Sequence, residues 1–532
     1  MSPTAEVPDW RTVPRMLRER AATAPDTVVV QDGDHAITLG ELRVAAAEVA
    51  RALIARGVSR GDRVAIWAPN TWQWVVAAFG AWEVGALLVP LSTRAKGLEG
   101  AQALQRTGSR LLFTMDHFLG VDYAALAVEA DLPQLAEVVL LPGSAPVAGA
   151  TGWADFVAAG VSVPEETAER AALAVEVDDP FEILMTSGTT GEPKGVLLTG
   201  AQILRAYWDW SEVCGLGPGD RYPIVSPFAH GFGINAGLLV CVARLATMVP
   251  VAVFDPDRAL ELIEEHGLTT LAGPPNLFER VLTHPDLPNR DISSLRWAIV
   301  GAASVPTELV RAMQERIGFE RVTNAYGLIE GSAVTMTRPG DPDEVVASTA
   351  GRPVAGMEVR IVDDAELPLG PEEQGEVQVR GYGVTRGYWD APGLTAAAFA
   401  PGGWLRTGDV GVLDAAGNLR IVGRKKDMFI VGGFNTYPAE IENLLLHDPR
   451  IASAAVVGVP DPRLGEVPWA YVVPAAGVDL TETDVVTWAK ANMSNYKVPR
   501  RVEVIDRLPV TANGKIEKLV LAQRAREAAT RT

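Results

Sequence analysis

Eleven residues, Met185 to Gly195 (MTSGTTGEPKG), constrain this chain more than any other stretch. They follow Phe181-Glu182-Ile183-Leu184, a short apolar run that reads as a strand. Gly188, Gly191 and Gly195 permit close backbone approach and positive φ. Thr186, Ser187, Thr189 and Thr190 carry hydroxyl donors, and Lys194 adds a compact cation. A strand feeding such a loop suits a polyanion, phosphate first. It is not the common P-loop, which has Gly directly before the Lys and Ser or Thr directly after it, because Lys194 lies between Pro193 and Gly195. On composition alone, a solvated surface loop would read the same way.

The surroundings of the loop limit the fold. Arg63 to Trp67 reads as a strand, Pro69-Asn70-Thr71 introduces a helix to about Val84, and Leu87 to Pro90 is a buried strand. Leu111-Leu112-Phe113 and Val138 to Leu141 continue the alternation, which predicts an α/β fold with a doubly wound parallel sheet. Further upstream, the apolar spacing around Ile37 to Leu42 is helical, and Pro142 to Gly152 is an exposed connection. After the loop come a helix over Ala201 to Val213, a strand from Tyr222, a helix to His266, a strand from Thr269 and a helix from Asn276 to Thr283. From Gly351 short strands over 358–362, 375–380 and 418–422 suggest a β-rich lobe. The last segment predicts a small α+β lobe: a helix over 437–447, strands at 454–459 and 469–473, a helix capped near Thr481 and a strand at 502–505. The expected division is 1–425 for the large N-terminal domain and 426–532 for the small one.

Charge narrows the partners. With 47 basic and 66 acidic side chains the net charge is -19, which argues against nucleic acid or an anionic membrane. Cys214 and Cys241 give no disulfide framework and fit a reducing cytoplasm. The N-terminus shows no signal peptide, and the uncharged run Val64 to Trp82 reads as strand, turn and buried helix, so no integral membrane segment is expected. No His/Cys cluster has metal-ligand spacing.

Further motifs follow in order. Pro227 to Gly237 sets glycines 231, 233 and 237 beside Phe228, His230, Phe232 and Asn235, a composition that suits either a ligand cavity or close helix packing. The strand Leu295 to Val300 delivers Gly301-Ala302-Ala303, small residues at the carboxyl end of a strand where ligands lie in open α/β sheets. Asn324-Ala325-Tyr326-Gly327-Leu328-Ile329-Glu330 comes after the next strand. Then follow Trp404-Leu405-Arg406-Thr407-Gly408-Asp409, Gly423-Arg424-Lys425-Lys426-Asp427 and Asn513-Gly514-Lys515.

This ordered set, from about Arg11 to Lys518, resembles the adenylate-forming enzymes: acyl-CoA synthetases, peptide-synthetase adenylation domains and luciferases. Residues 65–74 and 427–440 look most like actinobacterial fatty-acid-CoA ligases, a branch that includes ligation of the hexahydroindane propionate left by steroid-ring degradation. The resemblance implies ATP, Mg²⁺ and CoA as cofactors and a carboxylic acid as substrate. The 185–195 loop with Lys194 would hold the β- and γ-phosphates, and Gly301, Ala302, Ala303, Asn324 and Ala325 would border adenine, on which Tyr326 stacks. Glu330 would hold Mg²⁺, Asp409 the ribose hydroxyls, with Ile421 and Arg424 beside the sugar. Gly231, Phe232, Gly233, Asn235, Gly301 and Gly327 would line the acid pocket, with His230 as wall and gate and, in the lesser reading, as general base. Lys515 would complete adenylation; the small lobe would then pivot at Lys426 and present Gly432 and Gly433 to the pantetheine arm.

Three departures stand out. Ile329 replaces a Thr that donates to the α-phosphate, with Ser332 as a nearby alternative donor; Gly200 replaces a common His; Val510 replaces a basic residue. Only 14 residues follow Lys518, which favours a freestanding CoA ligase. An ATP-dependent synthetase handing the acyl group to an amine, and a non-catalytic binding protein, are the alternatives. The sequence leaves open whether the chain forms a homodimer.

Overall fold

The computed structural model describes residues 8–130, 132–186, 194–301, 305, 307–424, 429–436, 438–475, 477–509 and 516–529. Its centre is a six-stranded sheet in which Glu137–Leu140, Leu111–Thr114, Arg63–Trp67, Leu87–Pro90 and Pro180–Thr186 lie side by side in parallel. Lys194–Thr199 closes the sheet antiparallel, with Thr186 opposite Lys194, so the phosphate-type sequence connects two strands paired with each other. Helices Leu39–Ala55 and Trp72–Glu83 cover one face, and the latter is buried almost all round, as a helix pressed between layers must be. That uncharged stretch is thus strand, turn and buried helix, as expected. Among the described residues no helix is long and apolar enough to cross a membrane. Both cysteines are free and buried.

A second sheet orders Thr270–Gly273, Trp297–Gly301, Arg321–Leu328, Ser332–Met336 and Arg352–Pro353, the first three parallel. A third carries Met357–Val362, Gln374–Gly381, Trp404–Leu413 and Leu419–Arg424, the β-rich lobe. The small lobe packs Phe429–Val431, Phe434–Thr436, Ile451–Asp461, Gly465–Pro474 and Arg501–Val504 into one sheet under helices Pro438–Leu445, Glu482–Asn492 and Lys518–Ala529.

Two expectations need correction. Residues 35–38 are not helical but pair with Val28–Asp32, and the helix begins at Leu39 behind a Thr38/Glu41 capping box. The 324–328 motif does not follow a strand but occupies its end. The motif Trp404 to Asp409, to which the sequence reading assigned no element, opens a ten-residue strand that pairs on both sides.

Candidate active site

One cleft of about 2410 Å³ runs between the sheets and reaches the small lobe. Thr186, Lys194, His230, Gly231, Phe232, Gly301, Asn324, Ala325, Tyr326, Gly327, Ile329, Glu330, Asp409, Ile421, Gly432 and Gly433, separated by up to 247 positions, all line it. Ser187, Gly188, Thr189, Thr190, Gly191, Ala302, Ala303, Lys426 and Lys515 lie outside the described residues, as does the side chain of Arg424.

The phosphate end is built on the paired strands Pro180–Thr186 and Lys194–Thr199. A Cβ on Gly195 would come 2.6 Å from the Ile183 side chain and 3.2 Å from Trp389, so only glycine lets the returning strand lie this close. Lys194 Nζ sits 5.1 Å from the centre of the Tyr388 ring, and the Tyr388 hydroxyl donates to Glu330 Oε1 at 3.1 Å. Tyr388 thereby ties the cation and the carboxylate into one arrangement. Sequence reading missed it, since no pattern in GYWD marks it. A single carboxylate oriented beside a lysine fits an Mg²⁺ that takes most of its ligands from phosphate oxygens and water.

The base and sugar end rests on parallel strands. Gly301 pairs with Ala325, and a Cβ at Gly301 would meet the Ala325 carbonyl at 2.9 Å, which leaves a thin wall at the strand ends. Tyr326 donates its hydroxyl to Asp409 Oδ2 at 2.5 Å. The expected adenine platform and ribose acceptor are therefore in direct contact, and the phenol orients a carboxylate that is only 2% exposed. The Asp409 backbone is opposite Arg424. Asn324 has a scaffolding part: its amide donates to the carbonyls of Val346 and Thr349, fixing the helix 343–348 against the strand.

The acid end corrects several expectations. Gly231 lines the cleft, but Gly233 and Asn235 do not. A Cβ on Gly233 would collide with the Pro227 carbonyl at 2.1 Å, so close packing is why glycine stands there. Tyr207, Trp210 and Phe232 supply apolar wall in their place. Ile329 faces this wall, 3.9 Å from where a Gly231 Cβ would be. Ser332 is not the substitute donor, because its hydroxyl donates to the Gly383 carbonyl at 3.0 Å. His230 is exposed at the mouth of the cleft, and its Nδ1 accepts from the Phe232 N–H at 3.2 Å, which requires that nitrogen to carry no proton. A neutral ring that accepts at Nδ1 carries its proton on Nε2, which makes it a donor rather than a base.

Behind this wall Glu182 is fully buried and accepts from Asn235 Nδ2 at 2.7 Å, while Glu182 Oε2 and Asn235 Oδ1 have no partner among the described residues. Burial pushes the carboxyl up to about 8, so it is protonated at neutral pH and gives the pair the donor it lacks. A raised native value means this stabilisation is full below the ordinary 4.5 and is lost as pH rises through about 8. Glu182→Gln keeps a donor and an acceptor without titrating. Its melting temperature should fall less between pH 5 and 8 than that of the unaltered chain, measured by calorimetry; parallel curves would remove Glu182 as the source.

The Gly432–Gly433 turn enters the cleft from the small lobe. Both residues have positive φ, +56° and +85°, the geometry of a two-residue hairpin that other residues adopt at a cost. Gly433 would bring a Cβ to within 3.9 Å of Pro274, so the turn abuts the large domain.

Residues 17–389 match the AMP-binding enzyme family, and residues 440–515 match the AMP-binding enzyme C-terminal domain. The chain is 45% identical over 511 residues to a Mycobacterium tuberculosis protein named as a 3-(7a-methyl-1,5-dioxo-octahydro-1H-inden-4-yl)propanoyl:CoA ligase, covering 96% of this chain and 98% of that one. A Rhodococcus jostii protein of the same name is 43% identical over 516 residues, covering 96% and 98%. Among solved structures, the amide bond synthetase McbA of Marinactinospora thermotolerans superposes with a TM-score of 0.81 at 31% identity, covering 96% of this chain and 99% of that one.

Proposed function

This chain belongs to the AMP-binding enzyme family, and from that premise we propose that its acid is a bulky bicyclic propionate bearing ring ketones, activated by residues converging on the cleft described above. The enzyme is an AMP-forming acyl-CoA ligase: ATP and acid give an acyl-adenylate and pyrophosphate, and CoA then takes the acyl group with release of AMP. The observation that carries the site is the convergence, in one cleft, of the Lys194–Tyr388–Glu330 chain and the Tyr326–Asp409 hydrogen bond.

Each group then has a task. Tyr326 offers adenine a flat face while its hydroxyl steadies Asp409 for the ribose. Lys194 lies where the β- and γ-phosphates are expected, and Glu330 would hold Mg²⁺, whose charge offsets that of the phosphates. His230 Nε2–H donates to the acid carboxylate at the pocket mouth and leaves it nucleophilic. The acid pocket between Gly231 and the Tyr207–Trp210–Phe232 wall excludes water from the acyl-adenylate. Lys515 is proposed to bridge carboxylate and α-phosphate, and Gly432–Gly433 to pass the pantetheine arm. We further propose a domain boundary at 425/426 with Lys426 as pivot, and the cytoplasm as the enzyme's location.

Transfer to an amine is the second reading, favoured by the likeness to McbA. The higher identity to two CoA ligases outweighs it. A pyrophosphate-release screen across fatty, aryl and bicyclic keto acids, followed by product analysis with CoA and with amines, tests both. The expected result is highest kcat/KM for the bicyclic keto acid and a CoA thioester as product; a linear fatty acid preferred over it would refute the proposed substrate.

Ile329 makes a further prediction. With Ser332 committed to Gly383, no hydroxyl takes the place of the missing Thr donor among the described residues of this turn. A hydrogen bond to a charged oxygen is worth roughly 1.5 to 3 kcal/mol, so Ile329→Thr should speed single-turnover adenylate formation by about 10-fold or more. An unchanged rate would show that another group already stabilises the α-phosphate.

A further inference from the structure

The small lobe is held against the large domain by a compact charged cluster that the reaction as described does not use. Lys497 Nζ lies 2.7 Å from Glu99 Oε1 and 2.6 Å from Glu440 Oε1, and Ser494 donates to Glu99 Oε2 at 3.1 Å. Glu99 belongs to the first turn of the large-domain helix Leu98–Thr107, whereas Ser494, Lys497 and Glu440 belong to the small lobe. Lys497 is 7% exposed and Glu440 4%. The seam is close-packed: a Cβ on Gly97 would come 3.3 Å from the Ala491 carbonyl, and Gln102 Nε2 meets His447 Nε2 at 3.2 Å.

The cluster connects directly to the cleft. Tyr496, next to Lys497, stacks on Phe434 with ring centres 4.7 Å apart, and the Arg94 guanidinium lies 3.5 Å from the centre of the Phe434 ring. Phe434 is the residue after the Gly432–Gly433 turn. Fixing Lys497 and Tyr496 on the large domain therefore fixes that turn in the cleft.

The charge arrangement suits a contact that forms and breaks. Separating the lobes leaves Lys497 with Glu440 as an ion pair on the small lobe and opens Glu99, in the first turn of its helix, to solvent beside the helix N-terminus. Neither side strands an uncompensated buried charge, the situation that makes breaking a buried pair costly. When the lobes meet, Lys497 gains a second carboxylate from across the seam in a poorly solvated setting, where a charge pair fixes register better than it adds stability.

We propose that Glu99 and Lys497 form a latch that holds the small lobe in the orientation for acyl transfer to CoA, with the Gly432–Gly433 turn in the cleft. Both are positioning residues; neither touches the reacting atoms. The inference rests on the reading of the chain as a two-step CoA ligase. Adenylation, for which Lys515 must come to the α-phosphate, does not need this docked arrangement and is not slowed by losing it.

The two half-reactions of Glu99→Gln and Glu99→Lys test the latch. Acid-dependent pyrophosphate release in a single turnover should stay within about twofold of the unaltered enzyme, which also reports that the variants fold. Thioester formation from preformed acyl-adenylate and saturating CoA should fall about tenfold in Glu99→Gln and further in Glu99→Lys, which sets like charges against each other. Equal loss in both half-reactions, or none in the second, would overturn the latch. So would a rise in the KM for CoA with the transfer rate unchanged, which would assign the cluster to CoA binding. If the unaltered enzyme releases no pyrophosphate with any acid, the ligase reading fails instead.

Discussion

Lys515→Ala is expected to stop acid activation and spare acyl transfer. ATP and a carboxylate are both anions, and in-line attack gathers further charge at the α-phosphorus and the departing pyrophosphate. The chain's net charge of -19 gives no general help, so local cations must supply the attraction. Lys194 is committed near Tyr388 at the expected position of the β- and γ-phosphates. Lys515, in the run Asn513-Gly514-Lys515, is the cation proposed for the α-phosphate and, beside His230, for the acid. Removing one preorganised donor of this kind costs about 10²- to 10³-fold in rate. Single-turnover pyrophosphate release should fall by at least that factor, while CoA thioester formation from supplied acyl-adenylate should stay within about threefold. Equal loss in both steps would make Lys515 a structural residue.

Asp409→Ala is the second large effect expected. The carboxylate is nearly buried, is anchored through its own N–H to Thr407 Oγ1 at 3.0 Å, and receives the Tyr326 hydroxyl. A ribose that donates two hydrogen bonds to it would gain roughly 1.5 to 3 kcal/mol from each. Losing both weakens ATP by about 10²- to 10⁴-fold. Tyr326→Phe keeps the ring and loses only the orienting bond, so its effect should be about tenfold. Titration calorimetry with ATP, beside melting curves that verify folding, measures both. Equal ATP affinity in Asp409→Ala and the unaltered enzyme would remove Asp409 from the nucleotide site.

Much of this was legible in the sequence because it is local. Strands such as Arg63–Trp67 and Leu87–Pro90 are short apolar runs bounded by turn residues, and they lie where the pattern puts them. The Thr38/Glu41 capping box could have placed the helix start at Leu39, yet the apolar spacing across Ile37 and Leu39 masked it. What was not legible depends on pairing across the chain. The return strand Lys194–Thr199 exists because of its partner, and nothing in its residues announces that pairing. Tyr388 gains meaning only beside Lys194 and Glu330, and Glu182 only beside Asn235. The glycines of 231–237 show the limit most clearly. Their types are alike, but one opens the cleft and another fills a backbone contact, a difference set by which neighbour each one faces.

The most direct test is the product inventory of one reaction: enzyme, ATP, Mg²⁺, the bicyclic keto propionate and CoA, resolved by mass spectrometry. AMP, pyrophosphate and the CoA thioester in equal amounts, with acyl-adenylate accumulating when CoA is withheld, is the result this account requires. ADP in place of AMP, or AMP formed without dependence on the acid, would contradict it.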